Sequence, residues 1–368
     1  MVFVHKCESY DESILDSIID KVFEDLKLKT RIKEGMNVVL KPNLLAIRDE
    51  KTATTTHHMF TKCVAKKVIS LGAKCIICDS PPGKYSSKNL SKVYEKLRYN
   101  EIQDMGALLN LDTTSKLVNI QGKVVKNIEI ISPILNADLV INLPKLKTHA
   151  MMNLTCSVKN LFGIVPGERK AEIHSLHQEY NSFANAIIDI SNYVKNQVTI
   201  VDSIYSMEGN GPNSGVPRHT GLVFAGENQF ELDYILSKVI NLNLEDAYTV
   251  KNSIERGLVT DLNNIEIVGE KLEKLVIKDF KLPDTIVKKT FARAFKLTKY
   301  IKPYPTFNSK KCIRCKLCID RCPVKAIELV NNKVVLKDKN KCIRCFCCLE
   351  HCPVHAVGIK HIVSLKRK

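Results

Sequence analysis

No run of about 18 apolar residues occurs anywhere in this chain of 368 residues, which excludes a transmembrane helix. The first residues lack a basic segment followed by an apolar one, so no secretory leader is expected and the chain reads as cytoplasmic. Nor is there a Gly-x4-Gly-Lys-Ser/Thr run, which excludes a P-loop nucleotide site. Acids are scarce: 39 Asp and Glu stand against 56 Lys and Arg, a formal net charge of +17. The lysines are spread over the whole chain with no nucleic-acid recognition motif, so nucleic acid is not the expected partner. An anionic small molecule or plain solubility accounts for the excess equally well. Hydrophobic residues make up 45%, enough for a core of ordinary density.

What the chain does have is cysteine, 14 in all, with a dense group near the C-terminal end. Cys312-x2-Cys315-x2-Cys318-x3-Cys322-Pro323 is repeated thirty residues later as Cys342-x2-Cys345-x2-Cys348-x3-Cys352-Pro353. Flanking residues repeat too, as in Lys311-Cys312-Ile313-Arg314-Cys315 and Lys341-Cys342-Ile343-Arg344-Cys345. Zinc sites use two Cys pairs rather than three Cys at two-residue gaps followed by Cys-Pro. A disulfide framework belongs to secreted chains. The repeat resembles the bacterial two-cluster ferredoxin. That resemblance implies two 4Fe–4S clusters with crossed ligands: Cys312, Cys315, Cys318 and Cys352 for one, Cys342, Cys345, Cys348 and Cys322 for the other. Lys316 and Phe346 stand where such ferredoxins often have Gly, and Cys347 reads as a spectator thiol. Cys7, Cys63, Cys75, Cys78 and Cys156 lie in apolar segments and read as core thiols.

The larger N-terminal part alternates strand and helix patterns. Strands are expected at Val2–Cys7, Asn37–Leu40, Lys74–Cys78, Asp138–Leu143, Gln197–Val201 and Leu222–Ala225. Helices are expected at Asp11–Leu26, Phe60–Leu71 and Gln229–Ile240, and a marginal hairpin at Ser115–Ile131. Apolar strands between helices predict an α/β body with a mostly parallel sheet, followed by a small α+β ferredoxin-type module. The expected division is 1–280 for the body, 281–304 for a basic amphipathic tether and 305–361 for the module. The tether helix, with Lys288, Lys289, Arg293, Lys296 and Lys299 opposite Phe291 and Phe295, packs on the protein or lies weakly on an anionic membrane surface.

Polar residues gather past the carboxyl ends of the strands, where ligands bind in open α/β sheets. Lys41-Pro42-Asn43, Thr55-Thr56-His57, Asp79-Ser80-Pro81, Leu143-Pro144-Lys145-Leu146-Lys147-Thr148-His149, Lys159-Asn160-Leu161-Phe162-Gly163 and Glu208-Gly209-Asn210-Gly211-Pro212 resemble the motifs of the "domain of unknown function 362" family. Members of that family often carry a C-terminal two-cluster ferredoxin, and the resemblance implies a fold and clusters but no settled reaction. From residue type, Lys41, Asn43, Lys147, Lys159 and Asn160 are candidates for holding a carboxylate or phosphate. Lys145, His149, His174 and Asp202 are candidate catalytic groups, with Glu208 beside them and a structural salt bridge as the equal alternative. His174 and His177 at i, i+3 could share a helix face and chelate a metal with His149 or Asp79. Solvated lysines and hydrogen-bonded histidines remain the plain readings of each residue alone.

Three classes of function fit. In one, a soluble electron donor or acceptor protein exchanges electrons with the clusters, which feed an anion-binding redox site in the body, making the chain a ferredoxin-linked oxidoreductase. In another, the body docks or assembles a partner and the clusters relay electrons to it. In the third, the clusters are structural in a non-redox enzyme.

Overall fold

In the computed structural model, residues 1–259, 262, 265–286 and 301–363 are described. The strands in chain order are β1 (Val2–Lys6), β2 (Asn37–Pro42), β3 (Lys74–Ile77), β4 (Leu108–Leu109), β5 (Ser115–Asn119), β6 (Asn127–Ile131), β7 (Leu139–Leu143), β8 (Lys145–His149), β9 (Asn153–Thr155), β10 (Gln197–Glu208), β11 (Val216–Gly226), β12 (Ile267–Val268), β13 (Ile301–Phe307), β14 (Ile327–Val330), β15 (Lys333–Leu336) and β16 (Val357–Val363).

The central sheet runs in the order β12-β1-β11-β10-β7-β2-β3-β4. From β10 to β4 every pairing is parallel, and β11 joins β10 and β1 antiparallel. Every residue of β7 is buried, and so are five of the six in β2, as expected for parallel strands covered on both faces. Helices flank them. Helix Glu12–Asp25 starts at Asp11, whose carboxylate accepts the N–H groups of Ser13 and Ile14, and it buries Leu15, Ile18, Ile19, Val22 and Phe23. Each such side chain contributes about 1.5–3 kcal/mol of burial. The expected mixed α/β body with a largely parallel sheet is what the chain forms.

Two differences matter for the site. β10 was expected to end at Val201 but continues to Glu208, because the chain does not leave the sheet after β7. It steps over Pro144 into β8, which pairs with β10 beyond the end of β7, setting Asp202 opposite Lys145 and Met207 opposite Lys147. The hairpin β5–β6 forms its own two-stranded sheet instead of extending the margin of the central one. The basic tether helix falls largely outside the described residues. Its last residues, Ile301 and Lys302, already belong to β13, ahead of the expected boundary at 305.

In the cysteine-rich module β13 pairs antiparallel with β16 and β14 with β15, with short helices at Leu317–Asp320 and Cys347–Glu350. The two halves are conformational copies. Arg314 and Arg344 have φ of 56° and 59°, Lys316 and Phe346 64° and 59°, Lys325 and His355 49° and 51°. The positions where Gly was expected are therefore left-handed turns occupied by side chains, each of which costs on the order of 1 kcal/mol.

Candidate functional site

Lys41 is the last residue but one of β2 and Asp79 lies two residues past β3, so the two meet at the carboxyl edge of adjacent strands. Lys41 Nζ donates to Asp79 Oδ1 at 2.7 Å and to the Pro42 carbonyl at 3.0 Å, with both side chains buried. Asp79 Oδ2 accepts the Leu44 N–H at 2.8 Å. Asn160 Nδ2 donates to the Lys41 carbonyl and to Asn142 Oδ1, while its Oδ1 accepts Asn43 Nδ2 at 3.1 Å. Helix Ser157–Asn160 is held in place by Asp233, which accepts the N–H groups of Ser157 and Val158. Gly163 is required by this packing: a Cβ there would sit 2.1 Å from Asp79 Oδ1 and 2.6 Å from Lys41 Nζ. Gly167 is required likewise, since its Cβ would meet the carbonyl oxygens of Pro81 and Gly83 at 2.2 and 2.4 Å.

Beside the pair lies a cavity of about 100 Å³. Lys41, Lys147, Lys159, Lys170 and Arg321 line it against three carboxylates, Asp79, Glu168 and Glu350. Asp79 is taken by Lys41. Among the described residues Lys147 Nζ reaches only neutral acceptors, Asn43 Oδ1 at 2.9 Å and the Thr54 carbonyl at 2.7 Å. Lys170 donates to the Ser80 carbonyl. Lys159 has no hydrogen bond or ion pair among the described residues and lies 5.8 Å from the Phe162 ring centroid. Burial, with Lys159 nearby, lowers the Lys147 ammonium to about 7. Burial also lowers Lys170 to about 8, against the pull of Asp79, and it lowers Lys159. Among the described residues, three lysines thus converge with no carboxylate of their own in hydrogen-bond contact, an arrangement that favours an incoming anion.

The other wall comes from the cysteine-rich module: Arg321, Cys347, Glu350 and His351. Sequence reasoning did not reach this wall, because nothing in the local pattern says that residues 321 and 347–351 face the body. The loop Asn210–Gly215 carries docking contacts to the module. Asn213 Nδ2 donates to the Glu350 carbonyl at 2.7 Å, and Ser214 lies 3.0 Å from His355 Nδ1. Arg48 donates to Asn213 Oδ1, to the Pro353 carbonyl at 2.7 Å and to the Cys352 carbonyl at 3.0 Å. Ile343, Cys345 and Cys347 join the main core of the body.

Lys145 and Asp202 are together but elsewhere. Lys145 Nζ donates to Asp202 Oδ2 at 2.8 Å and to the Tyr10 hydroxyl at 2.6 Å, Tyr10 donates to Asp202 Oδ1 at 2.7 Å, and the His57 N–H donates to Asp202 Oδ2. The Tyr10 ring stacks on His57 at 3.7 Å. Tyr10 carried no sequence pattern that would have marked it. Glu208 accepts the Lys281 N–H. None of Lys145, Asp202 and His149 lines the lysine cavity, whereas His174 does.

Of the histidines expected to hold a body metal, His149 and His177 each have one ring nitrogen engaged, whereas His174 Nδ1 is buried without a partner among the described residues. His149 Nδ1 accepts the N–H groups of Met151 and Met152, which leaves its proton on Nε2, a buried atom without a partner. His177 is not on the helix face of His174. It caps the C-terminus of helix Arg169–Leu176 with φ −113° and contacts Ser182. Among the described residues, Glu50, His57 and His58 bring three potential ligand atoms together. There His58 Nδ1 lies 2.6 Å from Glu50, Arg98 lies 3.6 Å from it, and His57 Nδ1 accepts the Met59 N–H, so the group is closed by hydrogen bonds and ion pairs.

In the module, Cys312, Cys315, Cys318 and Cys352 line one small cavity together. Cys322 Sγ and Cys352 Sγ accept the N–H groups of Ala326 and Ala356 at 3.2 and 3.1 Å, as thiolates held for a cluster do. Cys342 has Cys345 and Cys322 as neighbours, and Cys348 has Cys345, Cys342 and Cys322. The donor set and these N–H···S bonds fit iron–sulfur ligation.

Such a module on an α/β body defines an iron–sulfur protein. Residues 304–353 match the model of a 4Fe-4S dicluster domain. Residues 38–238, more than half of the chain, match the model described as Domain of unknown function (DUF362), and the chain belongs to that family. A thylakoid-associated protein of Synechocystis sp. is 28% identical over 289 residues, covering 77% of this chain and 87% of that one. Among solved structures, the lactate racemase apoprotein from Thermoanaerobacterium thermosaccharolyticum is similar at a TM-score of 0.40 and 15% identity, over 64% of this chain and 56% of that one. A protein from Thermotoga maritima is similar at a TM-score of 0.36 and 12% identity, over 68% and 60%. This chain thus spans less than two thirds of either structure. Among the described residues no helix is long and apolar enough to cross a membrane.

Proposed function

We propose that this protein is an iron–sulfur electron-transfer protein whose lysine cavity binds a small carboxylate or phosphate and serves as a redox site. Two 4Fe–4S clusters would be held by Cys312, Cys315, Cys318 and Cys352, and by Cys342, Cys345, Cys348 and Cys322. When bound, they supply single electrons. The observation that carries the reading is the shared wall: Cys347, Glu350 and Arg321, neighbours of the second set of cysteines, line the same cavity as Lys147, Lys159 and Lys170.

In this reading the three lysines neutralise the anion and any negative charge that develops on it. Asn43 and Asn160 orient Lys147 and Lys41. His174, neutral because burial lowers it to about 3, offers a ring nitrogen without adding charge. Lys145 and Asp202 hold Tyr10 and the segment at His57 in place. A water needs about 10–15 Å³ of such space, so a cavity of about 100 Å³ suits a compact organic acid or phosphate better than a nucleotide.

The test is titration of phosphate and small mono- and dicarboxylates into the anaerobic, iron-loaded full chain, followed by calorimetry and by the spectrum of the clusters. Saturable binding that is lost in Lys159→Met, with iron content unchanged, supports the reading. Absence of binding by every such anion at millimolar concentration overturns it.

A further inference from the structure

The two halves of the cysteine-rich module present equivalent loops, yet among the described residues only one is covered. Ile343 is 8% exposed and Cys347 6%, both packed into the body. Their counterparts thirty residues earlier, Ile313 and Leu317, are 60% and 37% exposed. Cys315 is exposed, whereas Cys345 is buried. The substitutions between the copies match this: Lys316 stands where the docked copy has Phe346, which is 2% exposed. The open loop is also strongly basic. Lys310, Lys311, Arg314 and Lys316 are all exposed, and no acid occurs from Asn308 to Ile319. Arg314 Nε donates to the Asn332 carbonyl, which brings the tip of the β14–β15 hairpin, with exposed Lys333, to the same face.

We infer that this face, Ile313 ringed by Lys310, Lys311, Arg314 and Lys316, is the docking surface for an acidic one-electron carrier protein. The inference rests on the reading that Cys312, Cys315, Cys318 and Cys352 hold a cluster. An apolar centre inside a ring of one charge suits a partner that must find the site quickly and leave it again. Charge sets the encounter rate and its salt dependence, and the small apolar contact adds little residence time. In each encounter one electron leaves the carrier and enters the module, and no covalent bond changes. The opposite end of the module, being built into the body, is the only one next to the lysine cavity among the described residues. The basic face therefore sits at the outer end of a path from carrier to cavity.

The experiment uses the iron-loaded full chain and a reduced acidic flavodoxin as probe, mixed rapidly under anaerobic conditions at several salt concentrations. In the set Lys310→Glu, Lys311→Glu and Lys316→Glu, the second-order rate should fall at least tenfold at low salt and lose its salt dependence. Reduced cytochrome c, a basic carrier, should show the opposite change in binding. Ile313→Asp should slow exchange without flattening the salt dependence. Should the charge-reversed set lose iron, the Lys→Gln set carries the same comparison. Dithionite, which needs no docking surface, and iron and sulfide analysis separate the two failures. If dithionite reduces wild type and variants alike and flavodoxin does so too, the docking inference is overturned. If the full chain holds no iron and sulfide after reconstitution, the cluster reading itself fails.

Discussion

Lys41 and Asp79, 38 residues apart, close a buried ion pair of 2.7 Å across a gap that only the hydrogen of Gly163 leaves open. The pair consumes one lysine and one carboxylate of the cavity wall, and so decides which cations remain for a ligand. Gly163→Ala should push the two apart and leave charge buried without its partner. The expected loss is about 3–5 kcal/mol of stability, read from urea midpoints. An unchanged midpoint would show that the wall yields around the new methyl group.

Lys147 and Lys170 have a pH consequence. Both are lowered in the folded protein, to about 7 and about 8, from 10.5. Between those values and 10.5 the unfolded chain binds more protons than the folded one, so stability rises with pH across that window. Lys147→Met should flatten the rise relative to wild type. A bound anion favours the ammonium forms and should do the same. Anion affinity should itself fall above about pH 8, with proton uptake on binding near pH 8 measurable in buffers of different ionisation enthalpy.

Lys159→Met removes an ammonium that has no hydrogen bond or ion pair among the described residues. Stability should hold or rise by up to about 2 kcal/mol while anion affinity falls at least tenfold. Loss of both together would mark Lys159 as structural.

Arg48→Ala withdraws the two guanidinium contacts to the carbonyls of Cys352 and Pro353. Charged hydrogen bonds of this kind contribute about 1.5–3 kcal/mol. Hydrogen exchange should accelerate in helix Cys347–Glu350 with little change in the β2–β7 pairing of the body.

Cys347 is a wall residue, whereas Cys348 belongs to the proposed second cluster. Cys348→Ser should lower iron from roughly eight to roughly four per chain, and Cys347→Ser should leave it unchanged. Equal iron in both variants would reject this assignment.

The local features of this protein were legible in its sequence. Cysteine spacing repeats within a few residues, and a loop of that length carries its own ligand geometry. Apolar periodicity placed β2, β3 and β7 and the helices Glu12–Asp25 and Gln229–Val239, because burial of one stripe or two faces leaves its period in the chain. The cluster of lysines after β7 was visible as composition.

What only the tertiary structure decided is which charges have partners. Lys41 finds Asp79 and Lys145 finds Asp202, 57 residues on, while Lys147, Lys159 and Lys170 find no carboxylate in hydrogen-bond contact among the described residues. The same holds for the two cysteine loops, one sealed against the body by Ile343 and Cys347 and the other, among the described residues, left open at Ile313 and Lys316. Spacing encodes contacts within a segment. Burial and charge pairing depend on segments distant in the chain, and those set both the electrostatics of the cavity and the face left to solvent.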